Sequence, residues 1–357
     1  MYAMLHVRCN MADRDNNTVW ESVGRLRDRL PSGWRLLDPS ADQLASGAAR
    51  DVAVRLRAPD GNSALLVIES KQTLEPRGVR RLAGHRPTDG VLVIAAPYLT
   101  PSTREQLRAA KLNYVDLTGN VHIEVSSPGL FIETQGASVE PGRTETQRSL
   151  RGPKAGRIVR ALVDRRDMPG VRELAAETGV DAGYISRLLA HLDREALVTR
   201  EGRGRLTAVD WPALLKRWAA EAPLASRGAV TTWLDPRGID AFVRRLAEYP
   251  TEYAVTGSLA ATVLAPLAPP RLATVWIPRA SEVAKDLALR PSQSGANVML
   301  VDPANDSVFV GATVRNGLRY VAPSQLAADL LTSPGRGPEE GEAVIDWMKA
   351  NEGEWRR

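Results

Sequence analysis

Apolar positions along this chain change period several times, and the changes mark its parts. From Thr18 to Leu30 they recur at helical spacing until Pro31 ends the run. Asp51–Leu56 and Ala64–Glu69 are apolar and β-branched runs on either side of Pro59-Asp60-Gly61-Asn62, a strong turn sequence, and so predict a hairpin. A short helix near Val79–Ala83, a buried strand over Gly90–Ala95, a helix over Thr103–Ala110 and paired strands at Tyr114–Leu117 and Val121–Val125 follow. Strands and helices mixed in this order predict an α/β domain over residues 1–135. Residues 136–150 are polar, contain Gly and Pro and lack a period, which reads as a linker.

The pattern then turns helical. Over 151–222 the apolar spacing gives a helix at Lys154–Val163, a short one at Val171–Thr178 and a third at Ala182–Ala196. Gly179 stands where a tight turn needs positive φ, Val180 plugs the junction, and Asp181 suits the N-cap of the third helix. Leu197–Thr199 and Leu206–Val209 flank Arg200-Glu-Gly-Arg-Gly-Arg205, a hairpin with a Gly- and Arg-rich tip. Residues 228–357 return to α/β character, with a helix near Arg237–Glu248, strands near Tyr253–Val255, Leu272–Ile277 and Val298–Val301, and a closing helix around Gln325–Leu331.

Composition narrows the class. With 43% hydrophobic and 25% charged residues the chain is globular rather than disordered or fibrous. Its longest apolar run, about Val91–Ala96, falls far short of the roughly 18–20 residues of a membrane span, and the first residues lack the apolar stretch of a secretory signal. One cysteine and four scattered histidines exclude a disulfide framework and a Cys/His zinc cluster. The expected home is the cytoplasm, associated with the nucleoid, without a membrane partner. Charge adds a location: Arg148–Arg205 holds thirteen Lys and Arg against eight Asp and Glu, matching the whole chain's +5. Such a segment suits a polyanion, or else an Arg-rich solvated surface.

The register VRELAAETGVDAGYISRLLAHLDREALVTRE resembles the winged helix-turn-helix family over about 55 residues. The resemblance implies double-stranded DNA as partner, with the third helix offering its N-terminal residues to base edges. Arg187 would make a two-pronged contact to guanine, and Tyr184 or Ser186 would reach phosphate. Arg200, Arg203 and Arg205 on the wing would neutralise phosphates or enter the minor groove.

The first hairpin carries a second chemistry. Residues two apart on a strand share a face, so Glu69 and Lys71 project together. With Asp60-Gly61 as turn centre, Asp51 lies opposite Ser70, and a bulge would let Asp51, Glu69 and Lys71 converge. Two carboxylates beside an ammonium suit phosphodiester cleavage: Asp51 and Glu69 would hold Mg²⁺, and Lys71 would activate water and offset developing charge. These residues resemble the PD-(D/E)xK, restriction-endonuclease-like superfamily, with Glu-Ser-Lys as its E-x-K element and Arg50 where a Pro usually precedes the first acid. The resemblance makes Glu21 on the first helix a further candidate acid. A surface hairpin with an ion pair is the plainer reading. Asp116 and Asn120 of Tyr114-Val-Asp-Leu-Thr-Gly-Asn120 either line the same cleft or, more simply, sit at a Gly-Asn hairpin turn.

Gly257-Ser258 resembles the opening of nucleotidyltransferase-like domains, but the following strand, Leu272–Ile277, has no acid to hold metal. A degenerate domain serving dimerisation or ligand sensing is expected. The fold class is therefore multidomain α/β plus winged helix: a restriction-endonuclease-like domain, a central winged helix-turn-helix and a C-terminal α/β domain. The function expected is sequence-specific DNA binding, as a transcriptional regulator or genome-defence protein and possible homodimer. The alternatives are a Mg²⁺-dependent deoxyribonuclease and an antitoxin-like autoregulator.

Overall fold

The computed structural model describes residues 17–37, 51–84, 87, 89–138, 140–141, 149–201 and 205–357. The chain is a multidomain mixture of helices and sheets with two compact units, Met1–Thr146 with Arg194–Ala196, and Gln147–Asp193 with Leu197–Arg357. Among the described residues no helix is long and apolar enough to cross a membrane.

The first unit opens with a helix over 17–27 (α1), then β1 (Arg35–Leu37), β2 (Asp51–Arg57), β3 (Ser63–Ser70), α2 (Pro76–Ala83), β4 (Val91–Ala96), α3 (Pro101–Ala109), β5 (Asn113–Asp116), β6 (Val121–Val125) and β7 (Leu130–Thr134). The seven strands form one sheet in chain order. The pairs β3–β4 and β4–β5 are parallel, while the outer pairs are antiparallel. Val19, Val23 and Leu26 of α1 pack with Leu66, Ile68, Val93 and Val115. Val79 and Leu82 of α2 and Leu107 of α3 pack with Leu92, Ile94 and Tyr114. Alternate residues of β4 thus enter two different cores, which is why Val91–Ala96 is apolar throughout instead of alternating.

The β2–β3 register corrects one sequence expectation. Arg57 pairs with Ser63 and Asp51 with Glu69, not with Ser70. The loop between them has five residues, Ala58–Asn62, closed by Ala58 N–H donating to Asn62 O at 2.8 Å. An odd-length loop centred on Asp60 shifts the pairing by one position, and no bulge is needed.

The second unit begins with α4 (Pro153–Val163), α5 (Val171–Thr178), α6 (Ala182–Arg194), β8 (Val198–Glu201), β9 (Arg205–Val209), α7 (Trp211–Glu221) and α8 (Leu224–Arg227). It continues through β10 (Gly228–Leu234), α9 (Ile239–Ala247), β11 (Ala254–Thr256), α10 (Gly257–Leu264), β12 (Ala273–Trp276), α11 (Ala280–Asp286), β13 (Arg290–Pro291), β14 (Val298–Pro303), β15 (Thr313–Arg315), β16 (Leu318–Tyr320), α12 (Pro323–Leu330), α13 (Gly337–Ala350) and α14 (Glu352–Trp355). Its larger sheet has the order β13-β10-β14-β12-β11-β16-β15, and β8–β9 form a separate hairpin. One apolar core runs from Leu150 and α4 through to Val344, Ile345 and Met348 of α13.

A buried polar network crosses that core. Arg160 Nε donates to Asp164 Oδ2 at 3.0 Å, its Nη1 to Gln325 Oε1 at 2.8 Å and its Nη2 to Val310 O at 2.7 Å. Gln325 Nε2 then donates to Asp329 Oδ1 at 2.8 Å, while Thr256 Oγ1 and Trp276 Nε1 each donate to Asp329 Oδ2 at 2.7 Å. Arg160 and Asp164 are matched and hydrogen-bonded, the condition under which ions tolerate burial. Arg227 also lies 2.8 Å from Asp329 and stacks on Trp218, and burial pulls its pKa down while Asp329 opposes that shift.

Candidate functional site

The residues proposed from sequence for DNA contact start at a short, well-fixed turn. α5 ends at Thr178, and Gly179 takes φ +64 while its N–H donates to Ala175 O at 3.0 Å. Val180, 2% exposed, enters the core and anchors the turn. The Asp181 Oδ1 accepts Tyr184 N–H at 2.8 Å, satisfying a donor that the first turn of α6 leaves without an intrahelical acceptor. Ile185, Leu188, Leu189 and Leu192 are buried, whereas Asp181, Ala182, Gly183 and Arg187 are exposed. Tyr184 and Ser186 are half-buried, and the Tyr184 ring packs on the core. The Arg187 guanidinium folds over Gly183: a Cβ there would stand 3.3 Å from Arg187 Nη1 and 3.3 Å from Asp181 Oδ1.

The β8–β9 hairpin pairs Val198 with Val209 and Glu201 with Arg205, with a bulge at Thr199/Arg200. Val198 and Leu206 anchor it in the core. Arg205 is exposed and Arg200 half-buried; Arg203 lies outside the described residues.

Several arginines of the basic stretch are occupied by the fold itself. Arg160 is 3% exposed within the network above. Arg157 Nη1 donates to Thr178 O at 3.0 Å. Arg165 clamps Asp167 at 2.7 Å, Glu173 at 2.5 Å and Glu177 at 3.0 Å, which raises its own pKa and holds the Asp167 carboxyl below its usual range. Among the described residues, the predicted basic contacts that are exposed are Arg187 and Arg205.

In the first unit, the backbone register makes Asp51 and Glu69 cross-strand partners. Lys71 forms an ion pair with Glu69, and its N–H donates to Ala95 O at 2.8 Å, extending the β3–β4 ladder past the end of β3. Glu69 and Lys71 are both partly exposed, so the pair is open to solvent on one side. Glu21 is on the exposed side of α1, accepting from Asn17 Nδ2 at 2.7 Å. What α1 sends towards this strand end is instead Thr18, whose Oγ1 accepts from Gln72 Nε2 at 3.1 Å. Gln72 was not singled out from sequence, and its only signal was its place directly after Lys71. Among the described residues no group of three or more His, Cys, Asp or Glu forms a metal-holding cluster.

Asp116 and Asn120 form a turn knot. Asp116 accepts from the backbone N–H groups of Leu99 (3.1 Å), Thr118 (2.9 Å) and Asn120 (3.0 Å), and from Asn120 Nδ2 at 2.8 Å. Asn120 Nδ2 also donates to Ala137 O, and Asn120 Oδ1 accepts Gly136 N–H, both near 3 Å. Both residues are fully buried; the hydrogen bonds above account for the string from position 116 to 120.

In the second unit, Gly257 follows β11 with φ +67, and a Cβ there would come within 2.9 Å of Thr274 Oγ1. Ser258 Oγ donates to Glu340 Oε2 at 2.6 Å, and the facing strand β12, Ala273-Thr-Val-Trp276, bears no carboxylate. Compared with known protein families, curated proteins and solved structures, the chain finds no match.

Proposed function

We propose that this protein binds double-stranded DNA in a sequence-specific way, as a regulator or genome-defence protein, through a winged helix-turn-helix made of α4–α6 and the β8–β9 hairpin. The observation that carries the reading is the start of α6: a left-handed Gly179, a carboxylate cap at Asp181, and an exposed surface at Ala182, Gly183 and Arg187. A helix fixed at its N-terminus with small residues beside one arginine approaches base edges closely, and Arg187 supplies the bidentate donor that guanine accepts. Arg205, with Arg203, supplies charge to the phosphates. Duplexes selected from a random library by the whole protein test this. The reading expects an enriched motif, lost on Arg187→Ala; no enrichment overturns it.

The Asp51–Glu69 pairing favours a second reading, in which the first unit is a restriction-endonuclease-like domain that cleaves phosphodiesters. Carboxylate residues paired across the two strands suit Mg²⁺, which takes one or two carboxylates and fills its shell with water and phosphate oxygens. The metal, when bound, would polarise the phosphate; Lys71, held beside Glu69, would orient water and offset the charge of the leaving oxygen. Mg²⁺-dependent nicking of duplex DNA, abolished by both Glu69→Gln and Lys71→Ala, is the expected result. Nicking that survives both changes removes the assignment.

A further inference from the structure

The second unit contains a cavity of about 260 Å³ bounded by α10, the β15–β16 hairpin, α12 and the C-terminal helices. Leu264, Val321, Leu326, Trp347 and Trp355 make its lining largely apolar and aromatic. The size is just under that of pockets holding drug-sized ligands and suits a small metabolite. Four charged residues also line it: Asp164, Arg315, Glu354 and Arg357. Two of them are already engaged. Asp164 accepts from Arg160 and Ser324, and Arg357 Nη2 donates to Glu177 at 3.0 Å. The other two, Arg315 and Glu354, line the cavity without a side-chain ion pair to each other or to any described residue.

An apolar cavity with one unmatched cation and one unmatched anion on its wall is complementary to a zwitterion bearing a hydrophobic side chain. We infer that this cavity binds a free apolar or aromatic α-amino acid, its carboxylate on Arg315, its ammonium on Glu354, and its side chain between Trp347, Trp355 and Leu326. Charged groups held at the edge of an apolar site give orientation, while the buried side chain supplies most of the affinity. The inference stands independently of the DNA-binding reading.

Calorimetric titration of the full chain with L-leucine, L-methionine, L-phenylalanine and L-tryptophan tests it, alongside 3-phenylpropionate and phenethylamine, which each lack one charge of phenylalanine. The expected result is saturable binding of at least one of the four amino acids, at least tenfold tighter than that of either one-charge analogue. Arg315→Gln then weakens the amino acid about tenfold and leaves phenethylamine unaffected, and Glu354→Gln weakens it similarly and leaves 3-phenylpropionate unaffected. Both side chains are exposed, so melting temperatures of the variants should match the parent. Filling the cavity from its partly exposed wall with Val263→Trp abolishes binding of all ligands. No saturable binding by any of the four amino acids, or equal binding of the zwitterion and its one-charge analogues, overturns the inference.

Discussion

The Asp181 carboxylate accepts the backbone N–H of Tyr184 at 2.8 Å, and this single bond sets where α6 begins. Directly before it, Gly179 ends α5 in the left-handed region, and three residues separate the two helices. The same few residues that close the turn also decide which side chains the helix shows to solvent.

Replacing Asp181 by Ala removes the cap and is expected to cost about 1 kcal/mol of unfolding free energy, while Ser at the same position restores most of it. Urea denaturation of the two variants beside the parent measures both. Equal stability of Asp181→Ala and parent would show that the cap contributes nothing.

Arg160→Met leaves the buried Asp164 carboxylate without its cation, and removing one partner of such a pair typically costs about 3–5 kcal/mol. The double change Arg160→Met with Asp164→Leu should recover a large part of that loss, because an apolar pair does not carry an orphaned charge. Denaturant midpoints of the single and double variants decide, and a single variant as stable as the double contradicts the ion-pair account.

Asp167 gives a pH signature. Its carboxyl titrates below the usual 3.8 because it accepts hydrogen bonds from Arg165 and feels that charge. A carboxyl whose pKa is lower in the folded than in the unfolded protein stabilises above its unfolded value and loses that contribution as pH falls through the folded one. At pH 7 the parent should thus be more stable than Asp167→Asn, and the gap should close as pH drops below about 3.8. A gap independent of pH between 7 and 2 would exclude the Arg165 clamp as its source.

For the first unit, Mg²⁺ at several times its dissociation constant should add about 1 kcal/mol of stability, because a ligand that binds only the folded state stabilises by mass action. Glu69→Gln should remove that gain, and Lys71→Ala, which takes away a competing ammonium, should keep it. A melting temperature indifferent to Mg²⁺ in the parent would leave the Asp51–Glu69 pairing as an ordinary feature of a hairpin.

Much of the local architecture was legible because local chemistry dictated it. Pro59-Asp60-Gly61-Asn62 marked the first hairpin, Asp181 and Gly179 marked the ends of two helices, and the all-apolar β4 announced itself by composition. Edge strands were not legible: β1 has a single buried residue, Leu36, and β7 alternates only over Leu130 and Ile132. The register of β2 on β3 was missed by one residue because turn sequence does not fix loop length, and that one residue decides whether Asp51 faces Glu69. Charge counting gave the net balance of the stretch but not which arginines carry it, since sequence cannot tell that Arg160 is buried and Arg165 is spent on three acids. The cavity at Arg315 and Glu354 unites positions 39 apart in the chain with others near Asp164, a long-range meeting that no periodicity encodes.

The most direct test of the central claim is the salt dependence of duplex binding, measured by fluorescence anisotropy for the parent and for the double variant Arg203→Ala/Arg205→Ala. Each phosphate contact contributes a slope of roughly −0.9 to the log–log plot of affinity against salt, so losing two should make the slope shallower by about 2 and weaken binding at low salt. Absence of duplex binding even in dilute salt, or a slope and affinity unchanged in the double variant, would contradict the account.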